Sequence, residues 1–276
     1  MGSIRRRFGL RHALGVLSLV VPTAATMTGC IGSSGGETFD FEGGAAGPAD
    51  AHSGAPLRFT TPRGYDVELT RASLRIGAVY MNELLPVSNA QADSCLSSGR
   101  YTAEISAGLD VNLLDERPQR FTRRGSATTA PARAGEVWLT GSGDIYDESD
   151  TTPIFEVEGT ATRDGRALPF KGRLTIAENR KRPPPSPAQP GANPLCRERI
   201  VAPIPLSIAP SAGGALLVRV DPRRLFLTVD FQELKQFSKD PPLFGFQDEA
   251  ADGPSVAVFA ALRSAALYTF EWRARL

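Results

Sequence analysis

Phe155-Glu156-Val157-Glu158-Gly159-Thr160-Ala161-Thr162-Arg163-Asp164-Gly165-Arg166-Ala167-Leu168-Pro169-Phe170-Lys171-Gly172-Arg173-Leu174-Thr175-Ile176 reads as one strand folded back on another. Phe155 and Val157 lead through Thr160 and Thr162 into Asp164-Gly165. Phe170, Leu174 and Ile176 return, alternating with Lys171, Arg173 and Thr175. Asp-Gly accepts the positive φ angles that a two-residue type I′ turn requires, so this is the clearest hairpin of the chain.

The same period-two alternation extends in both directions. Tyr65, Val67 and Leu69 share a face, and the apolar set then reappears at Leu74, Ile76, Ala78 and Tyr80. That change of parity requires a bulge near Arg71–Ser73. Tyr101, Ala103 and Ile105 continue through a kink at Gly108 to Leu109, Val111 and Leu113, and Val137 with Leu139 opens a further strand. Downstream, Ile204–Ile208, a Gly213-Gly214 turn, Leu216/Val218/Val220 and Leu225/Leu227/Val229/Phe231 alternate likewise, as do Tyr268, Phe270 and Trp272. Only Val256–Ala266 changes to helical spacing, and Gly253-Pro254 before it suits a helix start. About ten strands and one short helix near the C-terminus predict a mainly β, antiparallel β-sandwich, with a closed β-barrel as the alternative.

The N-terminus carries an address. Arg5, Arg6, Arg7 and Arg11 precede an apolar run from Ala13 to Ala25 that is too short to span a bilayer, which takes about 20 residues. Arg5-Arg6-Arg7-Phe8 partly resembles a twin-arginine export signal, but Ile4 and Gly9 depart from it and favour the general secretory route. Met27-Thr28-Gly29-Cys30 resembles the lipobox of bacterial lipoproteins. That resemblance implies cleavage of residues 1–29 and acylation of Cys30 with palmitate-type chains, enough of them for stable anchoring. With Ile31 next to the cysteine, it also implies passage through the periplasm to the outer membrane in a host that has one. Residues 30–56, rich in glycine and alanine, are expected to be a flexible tether. Residues 57–276 then form a single domain, with Arg180–Pro194 a proline-rich exposed loop.

Loss of the signal removes four of the 31 basic residues, leaving 27 against 30 acidic ones. That balance argues against a nucleic-acid partner. Once Cys30 is assigned to lipid, Cys95 and Cys196 remain as an even pair in an oxidising compartment, and a disulfide between them is expected.

The chemistry is mostly negative. Only His12 and His52 occur, one in the signal and one in the expected tether, which removes Ser-His-Asp and Cys-His mechanisms from the body. No P-loop, GxSxG or dinucleotide fingerprint is present. The acidic run Asp144, Asp147, Glu148 and Asp150 offers hard oxygens that suit Ca²⁺, which takes six to eight of them, although the spacing is not that of an EF-hand. The same carboxylates offer an acid and nucleophile for glycoside hydrolysis. Arg117, Arg120, Arg123, Arg124 and Arg133 around Phe121 read as a solvated face or an anionic-lipid contact. Tyr268, Phe270 and Trp272 read as core, with a ligand groove as the alternative.

Phe59-Thr60-Thr61-Pro62-Arg63-Gly64-Tyr65-Asp66-Val67-Glu68-Leu69-Thr70, with Val220-Asp221 and Val229-Asp230-Phe231 downstream, resembles the MbnP-like, copper-associated group of extracytoplasmic β-sandwich lipoproteins. The resemblance implies an envelope β-sandwich; no copper ligand is carried over to a body without histidine. The expected function is that of a non-enzymatic, membrane-anchored binding module for an envelope protein or a small ligand. A calcium- or other metal-binding protein and a carbohydrate-active enzyme are the alternatives.

Overall fold

A computed structural model describes residues 37–84, 95, 100–180, 194–248 and 252–276. Cys30, the signal sequence and the loop after Arg180 up to Pro194 lie outside the described residues. The chain from Ile31 to Leu276 clusters as one compact unit.

The strands in chain order are β1 (Thr38–Ala46), β2 (Leu57–Thr60), β3 (Asp66–Ile76), β4 (Ala78–Asn82), β5 (Tyr101–Ile105), β6 (Leu109–Asn112), β7 (Gln119–Arg120) and β8 (Gly125–Thr128). They continue with β9 (Ala132–Trp138), β10 (Phe155–Arg163), β11 (Arg166–Leu174), β12 (Ile200–Ile208), β13 (Ala215–Val220), β14 (Lys235–Lys239), β15 (Pro242–Phe246) and β16 (Tyr268–Arg273). Three helices accompany them: α1 (Ile176–Arg180), α2 (Leu195–Arg199) and α3 (Gly253–Leu262).

The first sheet runs β12-β9-β4-β5-β8-β1-β13-β16 with β7 beside β1. Its end strands β12 and β16 approach one another, so the sheet curls into a nearly closed barrel. The second runs β14-β15-β11-β10-β3-β2, with β6 on β3. The chain is mainly β, as expected, and combines features of the two predicted architectures. It passes between sheets at Gly77, between β3 and β4, where an added Cβ would lie 2.6 Å from the Thr140 carbonyl oxygen.

The β10–β11 hairpin closes as read. Arg163 pairs with Arg166, and Asp164 and Gly165 adopt φ of 52° and 74°. The parity change in β3 falls at Thr70 and Arg71, opposite a register shift between Glu158 and Gly159. The C-terminal helix forms with Pro254 in its first turn and the Asp252 carboxylate capping Ser255 N at 2.7 Å.

Three expectations are corrected. The tether does not extend to residue 56, because Thr38–Ala46 is an interior strand, parallel to β13 and antiparallel to β8. Its small residues serve close packing: a Cβ on Gly43 would meet Ile105, one on Gly44 would lie 2.8 Å from the Gln119 carbonyl oxygen, and Ala45 and Ala46 are fully buried. His52 therefore belongs to the body, exposed on a surface turn.

The run Leu225–Phe231 is two 3-10 turns, Pro222–Phe226 and Phe231–Glu233, and not a strand. The carboxylates of Asp221 and Asp230 each accept the backbone N–H two residues on, at 3.1 Å, and Pro222 fixes the first turn. Finally, α1 and α2 add two short helices to the one expected, and β14–β15 add an unforeseen hairpin.

One hydrophobic core fills the body. Phe170, Phe226, Phe231 and Phe246 nest under the second sheet, with Phe170 and Phe231 ring centres 5.1 Å apart. They support β11 and β15 from below.

Candidate ligand-binding groove

The outer face of the second sheet carries a concavity of about 560 Å³ where the β14–β15 hairpin meets β11. Drug-sized ligands occupy clefts of roughly 300–1,000 Å³. Strands β11 and β15 run parallel with Lys171 beside Gly245 and Gly172 beside Phe246. Between Gln236 and Ser238 the β14–β15 register slips, leaving Phe237 as the extra residue of a bulge. A bulge re-aims a side chain, and here it lays the Phe237 ring over Gly245, where any Cβ would collide with it. The ring stays 49% exposed and forms one wall.

Charge is unevenly matched around this groove. Arg71 on β3 bonds Glu156 and stands 3.6 Å from Glu158, so one cation serves both carboxylates of β10. Lys171 and Arg173 project from exposed positions of β11 into the same groove and form no ion pair among the described residues. At the far end, the Asp248 carboxylate accepts Thr175 N at 2.5 Å, Thr175 Oγ1 at 3.1 Å and Asn179 Nδ2 at 3.0 Å. Burial raises the Asp248 carboxyl above the usual carboxylate range, against the pull of its Thr175 hydrogen bonds and of Arg173. A second concavity, beside β2, differs in that its polar side chains are matched: Arg58 bonds Glu68 at 2.8 Å and Thr60 bonds Asp66 at 2.7 Å.

The four sequence-predicted acids sit on one loop but do not assemble a calcium site, and no metal-ligating cluster occurs among the described residues. Asp144 accepts Tyr146 N at 2.8 Å, and Asp147 accepts Ser149 N at 2.9 Å. Asp150 accepts Thr140 Oγ1 and Gly141 N, both at 2.9 Å, and Thr152 N at 3.0 Å. Burial alone would raise the Asp150 carboxyl; the hydrogen bonds from Thr152, Gly141 and Thr140 outweigh it and hold it far below the usual range. Glu148 is exposed on the same loop.

The loop carbonyls instead converge on a cation from elsewhere in the chain. The Arg199 guanidinium, 1% exposed, donates to the carbonyl oxygens of Asp144, Ile145, Asp147 and Asp150 at 3.1, 3.0, 2.7 and 3.2 Å. This loop therefore encloses arginine at its centre.

Cys95 and Cys196 form the expected disulfide, with Cα atoms 5.5 Å apart. It packs in a small cluster with Ile145, Ile200 and Trp138. Beside it, buried Glu136 accepts Asn82 Nδ2 at 2.8 Å and Trp138 Nε1 at 3.4 Å. Tyr80 lies between Tyr101 and Trp138, ring centres 5.2 and 4.6 Å away, so these rings pack on one another and leave no cage. Burial, then the charges of Glu104 and Glu136, push the Tyr80 phenol up to about 12.

Four of the five grouped arginines make local contacts, and Arg123 is exposed. Arg117 bonds Asp115 and Arg120 bonds Glu42, while Arg124 and Arg133 donate to the Asp40 carbonyl oxygen and the Ser207 hydroxyl; Phe121 is buried. Tyr268 and Phe270 are core residues, and Trp272 packs against that core.

No protein-family model matches the sequence. No curated protein matches it either. Among solved structures, the chain is similar to MbnP from Methylosinus trichosporium, at 13% sequence identity, with 86% of this chain and 99% of that chain covered and a TM-score of 0.35.

Proposed function

We propose that this protein is a non-enzymatic binding module of the cell envelope, anchored through lipid on Cys30 and holding a small ligand in the groove between β11 and the β14–β15 hairpin. The observation that carries the reading is the state of the groove's side chains: an aromatic ring re-aimed into solvent beside two cations that have no ion partner among the described residues. In the second concavity, by contrast, Arg58 is held by Glu68 and Thr60 by Asp66.

The lipobox resemblance supports the anchor. Cys30 precedes the first residue of β1 by eight positions, so the connection spans at most roughly 30 Å even when fully extended. Among the described residues no helix is long and apolar enough to cross a membrane.

The test is recovery of the protein from its own membranes in mild detergent, followed by native mass spectrometry. A small molecule that travels with the wild type and is lost in Phe237→Ala, while Cys30→Ala moves to the soluble fraction, supports both parts. Wild type free of any adduct, with Cys30→Ala still membrane-bound, overturns both.

A further inference from the structure

Resting on the ligand-binding reading above, we infer that the groove selects an amphipathic organic anion, its acid group held between Lys171 and Arg173 and its apolar part laid on the ring of Phe237. Lys171 and Arg173 are two residues apart on the outward side of one strand, so their Cα atoms are about 7 Å apart. Their long side chains converge readily on one carboxylate or phosphate. Their cross-strand partners on β10, Glu158 and Glu156, are the acids that would otherwise neutralise them. Both are engaged by Arg71 from the opposite side. Neither Lys171 nor Arg173 forms an ion pair among the described residues, so both ends stay available to a ligand anion.

The remaining acid is turned away from this role. Asp248 spends its carboxylate on Thr175 and Asn179. Glu156 and Glu158 also line the groove, and Arg71 holds both of them. The aromatic wall supplies the second half of the recognition, since an exposed ring gains by covering apolar surface. The partner is also small: β14 is an edge strand, but Lys235, Lys239 and the bulge at Phe237 blunt it against pairing with another strand.

The shared chemistry, an acid group on an apolar stem, is offered by a free medium-chain or aryl carboxylate and by an anionic lipid of the membrane. Calorimetric titration with octanoate, 3-phenylpropanoate, octylamine and octanol, with parallel co-sedimentation on phosphatidylglycerol and phosphatidylcholine vesicles, separates these sources. The expected result is binding of the carboxylates but not of the amine. It weakens roughly tenfold in Lys171→Gln/Arg173→Gln and in Phe237→Ala, and falls with added salt. All of these positions are exposed, so unchanged melting temperatures verify folding.

Binding to phosphatidylglycerol but not phosphatidylcholine vesicles, lost in the same variants, also supports the inference and assigns the source to lipid. Equal binding of amine and acid, or wild-type affinity in the glutamine variant, overturns it. A different molecule recovered from native membranes and lost in Phe237→Ala would leave the binding reading standing while this inference falls.

Discussion

The phenol of Tyr65 donates to the carboxylate of Asp230, 165 residues further along the chain. Arg63 bonds the same carboxylate at 3.1 Å, and the Arg163 guanidinium lies 4.3 Å from the centre of the Tyr65 ring. Three segments are thus tied together: the β2–β3 turn, the end of β10 and the second 3-10 turn. Tyr65→Phe keeps the ring in the core and removes only the hydroxyl. It is expected to cost about 1–2 kcal/mol in urea unfolding.

The latch also has a pH dependence at both ends. The Tyr65 hydrogen bond, then its partners at Gln232, Arg163 and Arg63, overcome burial and hold Asp230 below its ordinary 3.8. A depressed acid stabilises the fold above its unfolded value, and that contribution is lost as pH falls through the folded value. Burial, then Asp230, raises Tyr65 above its ordinary 10.0. That contribution is present below pH 10 and lost as pH rises through the folded value. Tyr65→Phe should flatten both limbs of the stability–pH curve; unchanged limbs would show that other groups dominate them.

Arg199 organises the acidic loop, so Arg199→Lys should cost about 2–4 kcal/mol: one ammonium cannot reach four carbonyl oxygens in different directions. Asp150→Asn should be comparably damaging, since an amide oxygen replaces a carboxylate that accepts several donors. Thermal unfolding of the wild type should be the same with millimolar Ca²⁺ as with chelator. A calcium-dependent rise in melting temperature would contradict the arginine-centred loop.

Gly47→Ala distinguishes a folded start from a tether. A Cβ there would stand 2.2 Å from the Leu113 carbonyl oxygen, a backbone atom that cannot swing aside. Destabilisation of about 1–3 kcal/mol is expected from the overpacking. A neutral substitution would mean that this stretch is not packed against β6 and its following turn.

The disulfide joins positions 101 residues apart. Cys95→Ser/Cys196→Ser should therefore cost up to about 4–5 kcal/mol in the chain-entropy account. Disulfides quench neighbouring indoles, so Trp138 emission should rise on reduction. Recording it in a Trp272→Phe background isolates the signal.

What the sequence disclosed depended on how local the determining contacts are. The β10–β11 hairpin is set by Asp164-Gly165 and adjacent alternation, and α3 by Asp252 and Pro254, so both are legible within a few residues. Strand β1 was legible only in the alternation of Phe39 and Phe41; Gly43, Gly44, Ala45 and Ala46 present no apolar signal, and β13, the strand they pair with, lies about 170 residues away.

Leu225, Leu227, Val229 and Phe231 alternate as a strand would, yet Phe226 is fully buried and Leu227 is exposed. The capping aspartates at 221 and 230 were the local clue to turns. The acids at 144–150 were visible as a group, but Arg199, the cation that their loop's carbonyl oxygens hold, comes from α2. The groove was the least legible feature, since it depends on a bulge at Phe237 and on the parallel register of β11 with β15. Gly245 and Gly172, in strands facing large aromatics, were its only sequence trace.

Amide chemical-shift mapping on titration with 3-phenylpropanoate tests the central claim most directly. The account predicts perturbations gathered on Lys171, Gly172, Arg173, Phe237 and Gly245, with the midpoint moved to roughly tenfold higher ligand in Phe237→Ala. Saturable shifts centred instead on Arg58, Thr60 and Glu68, or on the aromatic cluster at Tyr80 and Trp138, would contradict it.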